Sequence, residues 1–106
     1  MAEKRHPGVM LIVRFKSALA REELERRYKE RLPEFQALQG IVQKYYLYDP
    51  STEEWGGLYL WDSQESLDEY VVSDLRRSIA DVYEVEGTPR VETAQIVEIL
   101  RPERST

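Results

Sequence analysis

The apolar pattern of the chain predicts an α+β domain built on a single four-stranded antiparallel sheet. Three observations lead there. Four β-rich runs and two stretches of helical period follow one another in the order βαββαβ. The two middle runs are joined by a short turn signal, so they pair as a hairpin. The length of 106 residues, with 42% hydrophobic and 33% charged side chains, suits one core, so residues 1–106 read as one domain with an ordered body over about 9–100.

Met1 to Gly8 reads as a loose lead-in. Val9 to Phe15 is apolar until Arg14, which predicts a strand buried on both faces. From Ala20 to Leu38 the residues Leu24, Tyr28, Leu32, Phe35 and Leu38 recur every three or four positions, the stripe of an amphipathic helix. Glu22, Glu23 and Glu25 suit the positive end of its dipole. Pro33 lacks a backbone donor and predicts a kink or break near the last turns, with Gly40 as the stop. Ile41 to Tyr48 is a second strand, and Asp49-Pro50-Ser51 turns the chain into a third, Trp55 to Trp61. Asp62 offers an N-cap with Glu65 as capping-box partner. The helix that follows carries Leu67, Tyr70, Val71, Leu75, Ile79 and Val82 on one stripe, with a break expected near Ser73 and Asp74. Gly87-Thr88-Pro89 is expected as a loop, Val91 to Leu100 as the last strand, and Arg101 to Thr106 as a polar tail. This order is the split βαβ of ferredoxin-like folds, with both helices on one face of the sheet.

The other face bears on assembly. Tyr45 and Leu47 oppose Val42, Tyr46 and Tyr48 in the second strand, and Leu58 and Leu60 oppose Tyr59 and Trp61 in the third. Both faces therefore carry apolar area although the helices cover one, and a homodimer that joins two such sheets is the expected arrangement.

Composition narrows the chemistry. The net charge of −5 disfavours nucleic acid, since the basic residues Arg26, Arg27, Lys29 and Arg31 are interleaved with Glu22, Glu23, Glu25, Glu30 and Glu34 at ion-pair spacing. The absence of cysteine excludes disulfides, thiolate catalysis and cysteine metal sites. His6, the only histidine, precedes the first strand, so neither a histidine-activated nucleophile nor a zinc or iron site is expected, and no cofactor is implied. No apolar run approaches the ~20 residues of a membrane span, and a cytoplasmic protein without membrane contact is the expectation.

What remains is an aromatic and polar set. Lys44, Tyr46 and Tyr48 share one face of the second strand, and Tyr59 and Trp61 one face of the third. If that face lies under the helices, these side chains line a pocket with Tyr28, Phe35 and Tyr70, with Gln95 from the last strand as a further polar candidate. Such a pocket suits a flat aromatic or polyketide-like ligand. Lys44, Tyr46 and Tyr59 are the candidates for holding a phenolate or enolate oxygen as charge develops, and Trp61 for stacking on the ring. Packing of core and interface alone would use the same rings. The pair Gly56-Gly57, inside a strand, marks a bulge, a close approach of backbone or ring, or an opening to a cavity.

The run from Lys44 through Gly56-Gly57-Leu58-Tyr59-Leu60-Trp61 to Tyr70 resembles the YdhR-type mono-oxygenases. These belong to the dimeric α+β barrel group together with the antibiotic biosynthesis monooxygenases. The resemblance implies a homodimer with facing sheets and oxidation of a small organic molecule by dioxygen without metal or haem. Haem-degrading members of the group use a histidine in the second helix region, where this chain has Ser73 and Asp74. A non-catalytic binding or accessory dimer, and an isomerase or cyclase on the same scaffold, are the competing expectations.

Overall fold

The computed structural model describes residues 6–101. The elements are β1 (Val9–Ser17), α1 (Arg21–Gln36), β2 (Ile41–Asp49), β3 (Glu54–Trp61), α2 (Gln64–Val71), α3 (Asp74–Arg77), α4 (Ile79–Val82) and β4 (Val85–Gln95). The strands form one antiparallel sheet in the order β2-β3-β1-β4, so the hairpin β2–β3 pairs with β1 at its inner edge. The fold is the ferredoxin-like βαββαβ arrangement that the pattern predicts.

Alternation along the strands sets which side chains meet the helices. Val9, Leu11, Val13 and Phe15 of β1 and Trp55, Tyr59 and Trp61 of β3 are buried in one core with Leu24, Phe35, Leu67, Tyr70, Ile79 and Tyr83. The far face carries Met10, Ile12 and Leu58, all half-buried, and buried Leu60. β1 is thus sealed on its helix side and only partly covered on the other, a correction to the strand expected to be buried on both faces.

α1 runs through Pro33 unbroken, because only three residues follow it and few backbone bonds are at stake. Gly40 adopts φ +85° in the turn into β2, where a side chain would collide with Ser66. The second helical region is broken as the sequence suggests, and Ser73 caps α3 by accepting from the Arg76 amide. Val71, the last residue of α2, is 47% exposed and off its expected stripe. At the start of α2 the cap is Ser63, which accepts from the Ser66 amide; Asp62 instead accepts from the Ser66 hydroxyl at 2.8 Å.

β4 departs most from expectation. It begins six residues before Val91 and ends at Gln95, so Gly87-Thr88-Pro89 lies within it. The register explains this: Arg14 faces Arg90 and Lys16 faces Glu86, leaving these three residues bulged opposite Phe15. Gly87 supplies the positive φ of +69° for the bulge, and β4 is an edge strand, where proline is tolerated. Conversely, β3 has no bulge at Gly56-Gly57, which pair in register with Arg14 and Val13. A side chain at Gly56 would strike the Val13 carbonyl, and one at Gly57 would come within 2.9 Å of the Tyr59 ring and 3.2 Å of Lys44 Cε. The glycines therefore permit close approach. The expected lead-in and tail lie largely outside the described residues. Among those residues no helix is long and apolar enough to cross a membrane.

Candidate functional site

A cavity opens between the helix side of the sheet and the helices, with about 20 Å³ of enclosed space, enough for one oxygen-sized group. Its walls come from β1 (Val13, Phe15), α1 (Leu24, Tyr28), β2 (Lys44, Tyr46), β3 (Trp55 to Gly57, Tyr59), and Ile79 and Tyr83 of the broken helix. A bulge in β2 between Ile41 and Gln43 sets the phase in which Lys44, Tyr46 and Tyr48 point toward the helices.

Lys44 is central. Its Nζ lies 3.4 Å from the Phe35 ring centroid, 4.3 Å from that of Tyr46 and 4.5 Å from that of Tyr59. Among the described residues it makes no ion pair. Three ring faces stabilise a cation less well than water does, so desolvation first, and the nearby Arg31 charge second, bring its pKa down from 10.5 to about 7. An amine in that range gives up and regains a proton readily near neutrality.

Around it stand phenols held in their protonated form. Burial pushes the Tyr46 hydroxyl well above the usual range, and its Oη has no partner among the described residues. Tyr59 is raised likewise by burial, and Tyr70, whose Oη donates to Tyr59 Oη at 3.3 Å, is pushed up to about 12. Burial raises Tyr83 too, against the charge and hydrogen-bonding reach of the adjacent Arg31 guanidinium, and among the described residues its Oη meets no partner in good hydrogen-bond geometry. These hydroxyls can donate to an oxyanion and will not readily lose their own protons. Tyr28 stacks on Tyr46 at 4.6 Å and 16°.

The residues singled out in sequence separate into three groups. Lys44, Tyr46, Tyr59 and Tyr28 line the cavity. Phe35 and Tyr70 pack behind it, each 6.3 Å or less from the Tyr59 centroid. Trp61 is 1% exposed, stacks on Tyr59 and lies tilted against Tyr70 rather than facing the cavity, and Tyr48 lies to one side, tilted on Trp55 under the Arg21 guanidinium. Gln95 is exposed on β4 opposite Val9, with two strands between it and β2. Among the described residues no cluster of three or more His, Cys, Asp or Glu is gathered as a metal site would require. His6 is exposed.

Sequence reasoning missed Tyr83 and Arg31. Tyr83 continues the four-residue spacing of Leu75 and Ile79, a signal that was available. Arg31 stands three residues after Tyr28 and four before Phe35, on the apolar stripe of α1, but its neighbours in sequence suggested a solvated face. The rest of that basic run does pair on the surface: Arg26 with Glu23 and Glu30, and Arg27 with Glu23.

Comparison with known proteins adds a family. Residues 10–91 match the protein family described as "Putative mono-oxygenase ydhR". No curated protein matches the chain. Among solved structures, a protein of unknown function from Nitrosomonas europaea superposes with a TM-score of 0.71 at 14% identity, covering 92% of this chain and 97% of its own. SnoaB, a cofactor-independent oxygenase from Streptomyces nogalater, gives 0.70 at 14% identity over 90% and 98%. A putative antibiotic biosynthesis monooxygenase from Caulobacter crescentus gives 0.70 at 17% identity over 89% and 94%. At such identities the likeness is one of fold.

Proposed function

The chain belongs to the ydhR mono-oxygenase family, and from that premise we propose that it oxidises a small acidic aromatic molecule with dioxygen in the cavity around Lys44. The observation that carries the reading is Lys44 itself: an amine enclosed by rings, among the described residues without a carboxylate partner, with its pKa at about 7 and packed against the ring of Tyr46, whose hydroxyl has no partner among those residues.

In this scheme the neutral amine takes a proton from an acidic C–H or O–H of the substrate, and the ammonium formed is held against the faces of Phe35, Tyr46 and Tyr59. Tyr46 donates to the enolate or phenolate oxygen. The anion passes one electron to dioxygen. The resulting radical and superoxide combine into a peroxide anion, which Lys44 protonates to the hydroperoxide. Loss of water then leaves a carbonyl, so a CH2 group and O2 become C=O and H2O. The enclosed space admits a reacting oxygen but not a ring, so the walls must part as substrate enters. The stacked pair Tyr28–Tyr46, rather than Trp61, is the surface available to a substrate ring.

The test is dioxygen uptake over a panel of anthrones and phenols without added metal or flavin. Saturable uptake that Lys44→Met abolishes supports the reading. No uptake across the panel, with ligand recovered unchanged after binding, would leave a non-catalytic binder as the second reading, for which the same ring-lined walls would serve. A homodimer belongs to the same proposal. The apolar far face of Met10, Ile12, Leu58 and 44%-exposed Tyr45 is the surface a second copy would cover. Sedimentation equilibrium at about 25 kDa would support it, being twice the 12.5 kDa chain, and a monomer mass would count against it.

A further inference from the structure

Arg31 is the buried charge that the oxygenase scheme leaves unused. It is 8% exposed, and among the described residues it is the one charged side chain in the buried class. Its Nη2 donates to Ser78 Oγ at 2.5 Å and to the Leu75 carbonyl at 3.4 Å, which ties α1 to the broken helix. Its Nη1 is buried and has no partner among the described residues. No carboxylate pairs with it there, and Glu34, one turn along α1, is exposed and makes no ion pair with it.

Lys44 can relieve its burial by shedding a proton. A guanidinium cannot, since it remains charged at any pH the protein meets. A buried cation without an anion is costly, and a clamp made through Nη2 alone leaves Nη1 unexplained. Two further facts place the gap. The Tyr83 ring lies 5.8 Å from the Arg31 guanidinium carbon, and its buried Oη stands within reach of that guanidinium, although among the described residues no hydrogen bond of good geometry joins them. Tyr83 is a wall of the cavity, and Arg31 is not among its walls. Arg31 and Lys44 also pack on the same Phe35 ring, at 5.8 Å and 3.4 Å from its centroid, so the two cations are near neighbours that feel each other's charge.

From this geometry we infer that Arg31 Nη1 and Tyr83 Oη form an anion-binding end of the cavity, and that the ligand is an aromatic carboxylate whose acidic O–H or C–H faces Lys44. The inference rests on the oxygenase reading for what happens at Lys44, and on Arg31 and Tyr83 alone for the carboxylate. Guanidinium and phenol donors together suit the two oxygens of a carboxylate.

Sodium benzoate and benzamide, equal in shape and different in charge, are titrated into the full-length protein while tryptophan fluorescence is followed, Trp55 being a cavity wall. Benzoate is expected to bind at least tenfold more tightly than benzamide, and Arg31→Met is expected to erase that preference. Thermal melts of Arg31→Met supply the second readout. If Arg31 is an uncompensated cation, the methionine variant melts at the same or a higher temperature; if it is only a clamp, the variant melts lower and benzoate shows no preference to lose. Equal binding of the two probes, or a preference that survives in Arg31→Met, overturns the inference. Arg31-dependent benzoate binding without any dioxygen uptake would remove the oxygenase reading and leave the anion site standing. Uptake with carboxylate-free substrates, undiminished in Arg31→Met, would do the reverse.

Discussion

Replacing Lys44 by methionine, which has nearly the same length and no charge, should stabilise the protein most at acid pH. The folded amine has a pKa of about 7 against its ordinary 10.5. At about 1.4 kcal/mol for each tenfold change, that difference means protonated Lys44 costs the folded state about 5 kcal/mol. Near pH 6 the amine is charged in both folded and unfolded chains, and the native state bears the whole cost. Between about 7 and 10.5 the unfolded chain binds the extra proton, so wild-type stability rises with pH across that window. Near pH 9 about 2 kcal/mol of the cost remains, so the advantage of Lys44→Met over wild type should shrink by roughly 2 to 3 kcal/mol between the two conditions. Urea unfolding of both proteins at several pH values measures this, and every other titration common to them cancels in the difference. Two stability curves that stay parallel from pH 6 to pH 9 would refute a desolvated Lys44, and the chemistry assigned to it would lose its basis.

Two further outcomes follow from the same geometry. Tyr46→Phe removes a buried hydroxyl without a partner, so stability should change by less than about 1 kcal/mol while the rate of dioxygen uptake falls about 100-fold. A loss of stability with unchanged rate would show the hydroxyl to be structural. Gly57→Ala puts a methyl 2.9 Å from the Tyr59 ring and 3.2 Å from Lys44 Cε, which should cost about 1–3 kcal/mol in urea unfolding and displace the amine. A variant of wild-type stability and activity would mean that the lysine stem is not held where it stands.

Much of the fold is legible in the sequence because the alternation is strong where burial is one-sided. In β3 the residues Trp55, Tyr59 and Trp61 fall on one face and Leu58 and Leu60 on the other, and the hairpin register keeps that phase. β4 was harder to read. Its expected start at Val91 follows Gly87-Thr88-Pro89, whose turn chemistry serves a bulge inside the strand instead of a loop before it. Gln95 drew attention for its polarity, but strand order carries it to the far edge, and sequence spacing does not report strand order.

The site was legible in its strand half and obscure in its helix half. Alternation grouped Lys44 with Tyr46 on one face of the second strand and Tyr59 with Trp61 on one face of the third, and left open whether the helices cover that face; the structure puts these residues under the helices. Alternation could not show that Trp61 is packed behind Tyr59, because depth within a face depends on what the helices lay over it. Arg31 was hidden by the company it keeps: Arg26 and Arg27 are neutralised on the surface, while Arg31 occupies the next inward position of the same helix. Periodicity finds such a residue only when a charge is allowed a place on an apolar stripe.

The most direct test of the account is the initial rate of dioxygen consumption with an anthrone, without added metal or flavin, for wild type and Lys44→Met side by side. The account expects saturable uptake by wild type, with kcat/KM rising through an apparent pKa of about 7, and loss of that uptake in the variant. Uptake that Lys44→Met leaves intact, or a wild type that consumes no dioxygen, would contradict it.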